Sequence, residues 1–160
     1  MSEFDARAKD WDSDPTRKEL AQAVLKGITA AVPLGRKMSV LEYGCGTGLL
    51  GAGIYPFVGN VVFADSSRGM LEVVDGKIND CGFKNARTLL LDLERESPPD
   101  GKFDLICASM CLHHVIDVDK LLQAFHSMLK PRAWLCIADL DEEDGSFHGP
   151  DFKGHKGFHR

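Results

Sequence analysis

Val40-Leu41-Glu42-Tyr43-Gly44-Cys45-Gly46-Thr47-Gly48-Leu49-Leu50-Gly51 joins an apolar run of strand length to a turn with three glycines and then to the start of a helix. Glycine lets a backbone turn tightly and approach a ligand with no Cβ in the way, and the unpaired amides of the following helix form an anion site. In regular structure each of those glycines would cost several tenths to about 1 kcal/mol, so their density marks a loop. Seventeen residues after Gly48, Asp65 ends a second apolar run, VVFAD. A carboxylate at such a strand end can accept both hydrogen bonds of a ribose diol. The pair of features at this spacing is far more specific than a glycine loop alone.

Working outward, residues 39–43, 61–64, 88–91, 103–107 and 134–139 are apolar runs of strand length. Runs apolar on both faces suit a buried parallel sheet. Between them, Asp14 can cap a helix with Pro15 at its first position, and Leu20, Ala21, Val24, Leu25 and Ile28 recur at helical spacing. Residues 67–80 place Met70, Leu71, Val74 and Ile78 on one face. Residues 117–130 do the same with Leu121, Leu122, Phe125, Met128 and Leu129, stopping at Pro131. Strand and helix in alternation predict an α/β fold, an open sheet with helices on both faces. No repeat or linker interrupts it, so a single domain is expected over 1–160: an N-terminal arm and helix (1–35), a ligand-binding core (36–139) and an irregular tail (140–160). The tail has three separated phenylalanines and no continuous apolar run, so it reads as loop, or as a segment whose folding partner is absent. Nothing downstream is left to cover the edge beyond the fifth strand. The expectation is therefore that further C-terminal strands are missing or truncated, or that another subunit covers this edge.

Composition narrows the function classes. A chain of 160 residues with 44% apolar side chains can bury one sizeable core, and 27% charged residues fit no disordered class. No run approaches the ~18 apolar residues of a membrane span. Nineteen basic residues against 24 acidic ones give a net charge of −5, and the basic ones are scattered, without a footprint for nucleic acid or an anionic membrane. A small or neutral substrate is expected. Five cysteines (Cys45, Cys81, Cys107, Cys111, Cys136) and a polar, acidic N-terminus without a signal peptide point to free thiols in a reducing cytoplasm. Most sit in or beside apolar runs, where inert buried thiols are expected, and none is assigned a catalytic role.

Two ligand chemistries compete for the loop. Gly46-Thr47-Gly48-Leu49-Leu50-Gly51 satisfies the G-x-G-x-x-G spacing of a dinucleotide site. Against it, Gly44 already begins a G-x-G-x-G turn, and Glu42 precedes it by two residues. A carboxylate inside an apolar strand is costly without a positive partner. The ammonium of an amino-acid-bearing cofactor would supply one, whereas a pyrophosphate would be repelled.

From about Trp11 to Asp139 the sequence resembles the class I S-adenosylmethionine-dependent methyltransferases, by the E-x-G-x-G-x-G loop, the acid-ended second strand, the LDLE segment and the FDLICASMCLHHV run in the family's order. The resemblance implies a Rossmann-like doubly wound sheet of parallel order 3-2-1-4-5, with S-adenosylmethionine over the strands' C-terminal ends and S-adenosylhomocysteine as product. It implies that Gly44, Cys45, Gly46 and Gly48 pass under the cofactor's methionine part, with Glu42 on its ammonium side and Asp65 on the ribose. Ser66 and Met70 would flank the adenosine, Asp92 and Leu93 would border the adenine, and Ser109 and Met110 would sit beside the methyl group. Other readings stand beside these: Asp92 as a turn cap and Met70 as core packing.

Methyl transfer is an in-line displacement, so alignment in a dry pocket matters more than acid–base machinery. If a hydroxyl or protonated amine is the acceptor, His113 and His114 are the candidate bases, and in an extended backbone only one of them can face the cleft. Trp11 either closes over the cofactor or staples the arm to the core, and Tyr43 has the same ambiguity; either ring could attract a sulfonium. His148, His155 and His159 lack an accompanying C-x-x-C or H-E-x-x-H pattern, so no metal site is expected. The ASMCLHHV segment lacks the N/D-P-P-Y/F signature of adenine-amine or glutamine methylation, and no Pro-Cys dipeptide is present, which argues against duplex DNA as acceptor. The expectation is a cytoplasmic monomer or weak homodimer acting on a small molecule. An NAD-linked oxidoreductase fragment and a cofactor-binding module without transferase activity remain as alternatives.

Overall fold

The apolar runs become the five strands of one parallel sheet. In the computed structural model, which describes residues 3–149 and 152–159, β1 is Ser39–Tyr43, β2 Asn60–Asp65, β3 Ala86–Leu90, β4 Phe103–Ser109 and β5 Leu129–Ala138, in the order β3-β2-β1-β4-β5. Met1, Ser2, Pro150, Asp151 and Arg160, which the 1–160 domain expectation includes, lie outside the described residues. The helices are α1 (Glu3–Arg7), α2 (Pro15–Ala31), α3 (Leu49–Ile54), α4 (Arg68–Cys81) and α5 (Val118–Met128).

Alternate residues of the central strands feed two cores, which is why these runs are apolar throughout. Val40, Val61, Phe63, Leu105 and Cys107 pack with Leu50, Ile54, Leu71 and Val74 from α3 and α4. Their neighbours Leu41, Tyr43, Val62, Ala64, Ile106 and Ala108 pack with Leu121, Phe125 and Met128 of α5. Local signals start the helices as read: the Asp14 side chain accepts from the Thr16 N–H ahead of Pro15, Ser67 caps α4 through the Met70 N–H, and Asp117 caps α5 through the Lys120 N–H.

The fifth strand departs from the sequence reading. The α5 helix ends at Met128 instead of reaching Lys130, and Leu129 and Pro131 belong to β5. The residue before a proline avoids the helical region, and a strand at the sheet edge tolerates a proline that donates no ladder bond. The register between Phe103 and Leu105 shifts here, and Arg132 adopts φ +63°. On this outer strand Trp134, Leu135 and Ile137 are exposed.

The tail has no strand among its described residues but is not free of the core. Asp141 bridges to Phe158, the Phe158 N–H donates to Leu140 O (2.9 Å), and Phe158 packs on the α5-side core. The His155 N–H donates to His113 O at 2.7 Å, so the tail lies on the turn after β4. The N-terminal arm also folds: α1 and a 3₁₀ turn at Ala8–Ser13 lie against α4, with Asp5 accepting from the Ser67 hydroxyl (2.6 Å) and the Gly69 N–H (2.9 Å).

Two glycines test how tightly α3 and α4 are seated. A Cβ on Gly51 would stand 2.5 Å from the Phe63 ring and closer still to the Glu42 carboxylate, whereas one on Gly76 would meet nothing within 4 Å. Gly51→Ala should lower the unfolding midpoint, because overpacking at ~1–3 kcal/mol exceeds the helix-propensity gain of ~1 kcal/mol. Gly76→Ala should raise it. Equal shifts in thermal denaturation would contradict this packing.

Candidate active site

Register places the site. Tyr43 stands level with Ala64 on one side and Ala108 on the other, so Gly44, Asp65 and Ser109 are each the next residue along three adjacent parallel strands. A cavity of about 450 Å³ opens at these strand ends.

The glycine loop borders it in a conformation other residues adopt only at a cost, with φ of +66°, +52° and +75° at Gly44, Gly46 and Gly48. At Gly44 the requirement is also steric, since a Cβ would lie 2.5 Å from that of Cys111. The Asp65 carboxylate holds the loop in place, accepting from the Gly46 N–H on one oxygen and the Ser67 N–H on the other, both at 2.8 Å. Burial pushes the Asp65 carboxyl above its ordinary range, with the amides of Ser67, Gly46 and Ser66 opposing. Glu42 is 3% exposed and accepts from the Gly51 N–H at 3.0 Å. Burial pushes its carboxyl up to about 8, with the Gly51 amide and Lys77 opposing and Asp65 adding to the rise.

Of the residues singled out in the sequence, Trp11, Glu42, Tyr43, Gly44, Cys45, Gly46, Asp65, Ser66, Met70, Asp92, Ser109, Met110 and His114 line the cavity. Gly48, Leu93 and His113 are not among its lining residues. Gly48 instead precedes the first residue of α3, and Leu93 is buried with its N–H donated to the Tyr43 hydroxyl at 3.3 Å. Both readings of Asp92 coexist, since it lines the cavity and also accepts from the Glu94 N–H. Met70 is likewise fully buried and part of the wall. The Trp11 ring both lines the cavity and anchors the arm, with the Arg17 guanidinium 3.6 Å from its centre and donating to Trp11 O at 2.8 Å.

The two histidines separate because the backbone after β4 is a 3₁₀ turn, Leu112–His114, not an extended strand. His113 is buried, its Nδ1 2.5 Å from Asp139 Oδ1. The other Asp139 oxygen accepts from the Cys111 and Leu112 N–H groups. His114 faces the cavity, and burial, then His113 and His148, lower it to about 4. His148 lies with this pair, whereas His155 packs on Phe158 and His159 pairs with Glu142, so the three tail histidines do not meet. Cys45 and Cys111 border the cavity as protonated thiols, since burial pushes both well above the ordinary cysteine range.

Sequence reasoning missed Phe4, Arg17, Cys111, Val115 and the organising role of Asp139. Asp139 had a legible signal: it ends its apolar run as Asp65 does. Phe4 had none, because only the fold of the arm brings it to the cavity.

A family profile described as "Methyltransferase domain" matches residues 16–156. The chain belongs to the methyltransferase-domain family. Within that family this domain is similar to an "Uncharacterized methyltransferase" of Schizosaccharomyces pombe, with 30% identity over 70% of this chain and 42% of that protein. It is also similar to the ubiquinone/menaquinone biosynthesis C-methyltransferase of Vibrio vulnificus, with 36% identity over 64% of this chain and 41% of that one. The methyltransferase domain thus spans less than half the length of these curated relatives. Among solved structures, a SAM dependent methyltransferase from Aquifex aeolicus superposes with a TM-score of 0.75 at 28% identity, over 97% of this chain and 81% of that one.

The buried Glu42 has a measurable consequence. An ordinary glutamate titrates at 4.5, so between 4.5 and about 8 the folded domain holds a proton that the unfolded chain has released. Stability attributable to Glu42 therefore falls as pH rises through that window. Glu42→Gln should remove this decline, seen as a difference from wild type in urea-unfolding free energies between about pH 5 and about pH 9. Parallel pH profiles for the two proteins would place the titrating group elsewhere.

Proposed function

We propose that this domain transfers the methyl group of S-adenosylmethionine to a small-molecule acceptor, leaving S-adenosylhomocysteine. The observation that carries the reading is the buried carboxyl of Glu42 together with the partly buried one of Asp65, beside the left-handed glycine loop. Asp65 raises the affinity of Glu42 for a proton, and two carboxyls gathered here suit a ligand carrying positive charge and disfavour the pyrophosphate of a dinucleotide. This argues against the NAD-linked alternative.

When bound, the cofactor supplies an electrophilic methyl group on a positively charged sulfur. The residues of the domain then have positioning roles. Asp65 has lone pairs left after accepting from Gly46 and Ser67, and these receive the ribose hydroxyls. Glu42 faces the ammonium, and Gly44, Cys45, Gly46 and Gly48 admit the methionine part. Ser66 and Met70 flank the adenosine, Asp92 borders the adenine, Ser109 and Met110 stand on the acceptor side, and Trp11 completes the wall. Leu93 acts through packing behind Tyr43, since it does not line the cavity. An acceptor that must lose a proton meets one of the two imidazoles, His114, because His113 is turned to Asp139.

A small organic acceptor is supported by the relatives named for quinone biosynthesis and by the acidic, unpatterned charge, which gives duplex DNA no purchase. Among the described residues no helix is long and apolar enough to cross a membrane. Cytoplasmic residence and a monomeric or weakly dimeric state complete the proposal.

Calorimetric titration with S-adenosylhomocysteine should give micromolar binding, with none for NAD. Asp65→Ala should weaken it by ~1–3 kcal/mol, about 5- to 150-fold in Kd. An unchanged Kd in that variant would remove Asp65 from the site, and binding of NAD instead would reverse the cofactor assignment. With a panel of acceptors, S-adenosylhomocysteine production separates an enzyme from a binding module. His114→Gln should slow transfer to hydroxyl or amine acceptors while leaving S-adenosylhomocysteine affinity within about twofold, as expected for a group that touches acceptor and not cofactor.

A further inference from the structure

We infer that His113, His114 and His148 form a three-histidine site for a divalent transition-metal ion of the zinc type. One nitrogen from each ring lies within 4.8 Å of the other two. Bound at 2.0–2.1 Å around zinc, such nitrogens stand about 3.3 Å apart, so the site closes when the rings approach one another by ~1.5 Å or less.

Three features beyond proximity fit this chemistry. First, Asp139 accepts from His113 Nδ1 at 2.5 Å, which leaves Nε2 with its lone pair free. A carboxylate behind a histidine is the arrangement that fixes the tautomer and orientation of metal-binding imidazoles. Asp139 is itself held in place by the Cys111 and Leu112 amides, so His113 is pre-oriented by the backbone. Second, the cluster has an aromatic shell. Phe4 stands edge-on to His114 at 5.3 Å, Phe152 stacks on His148 at 4.0 Å, and Phe147 contacts His148 at 4.7 Å. The rings lower the polarity around the cluster, while the exposed His148 leaves a side open to solvent by which an ion can enter. Third, the donor set is chemically selective: three imidazoles without a carboxylate ligand suit zinc, copper, iron or nickel and not magnesium or calcium. Three protein ligands leave a fourth position open.

The ligands come from two segments, the turn after β4 and the tail thirty-four residues on. A bound ion would therefore pin the tail across the His114 side of the cavity. The inference does not rest on the methyl-transfer reading, because the cluster would bind its ion whether or not the cavity holds a cofactor. The two uses of His114 exclude each other at one nitrogen: a lone pair given to the metal cannot receive an acceptor's proton.

The test is calorimetric titration of the whole chain, freed of metal with a chelator, by zinc chloride. One ion per chain at micromolar affinity or tighter is expected, with a raised thermal midpoint. His148→Ala should weaken binding at least tenfold. This variant alters an exposed tail side chain, and circular dichroism would verify its fold. His155→Ala should leave the affinity unchanged, and cobalt in place of zinc should give the visible absorption of a four-coordinate nitrogen site. No stoichiometric binding would overturn the inference, as would binding that survives His148→Ala or is lost in His155→Ala.

Discussion

The Asp65 carboxylate joins two loops that leave different strands, taking the Gly46 amide on one oxygen and the Ser67 amide on the other. That double acceptance fixes the first loop against the second and presents the carboxylate beside three left-handed glycines. The constraint is mutual. Without backbone amides the partly buried carboxyl would be costly, and without the carboxylate the amides of a sharply turned loop would lack partners. The cavity depends on this joint, since its wall on that side consists of the loop, Asp65 and Ser66.

Much of this was legible because the governing patterns are local. Strands buried on both faces must be apolar at every position, so β1, β2 and β4 announced themselves, the cap at Asp14 marked one helix start, and apolar spacing from residues 67 and 117 marked two more. The failures have a common cause in tertiary context. Pro131 ends a helix in any reading, but only the edge position of β5 explains how the chain then re-enters the sheet around it. The His113–His114 pair could not be sorted from sequence, because the Cys111 and Leu112 amides that open the 3₁₀ turn are held by Asp139, just past the end of β5 and 28 and 27 residues away. The arm gave less sign: Trp11 stands out in it as a ring able to close over the cavity, whereas nothing in the polar stretch marks Phe4 as wall.

The site's polarity follows from the same geometry. Two acids, Glu42 and Asp65, stand where helix and loop amides would otherwise dominate, so the end of the sheet that usually favours anions presents carboxyls instead. The acid at the end of the second strand and the one inside the first thus give this end of the cavity its acidic character. On the far side of the cavity Ser109, Met110 and His114 provide weakly polar surface.

The arm is fastened differently from everything beneath it. Asp12 pairs with Lys77 at 2.6 Å and accepts from the Thr47 hydroxyl at 2.5 Å, while Lys77 also donates to Thr47 O at 2.7 Å. With the Asp5 contacts and the Arg17–Trp11 stack, these polar links tie the arm's wall to the glycine loop and α4. A partly buried pair in direct contact is screened far less than separated surface charges, so added salt acts only weakly on this fastening. One wall of the cavity thus depends on the geometry of a few directional polar contacts, whereas the sheet that carries the glycine loop depends on apolar area removed from water.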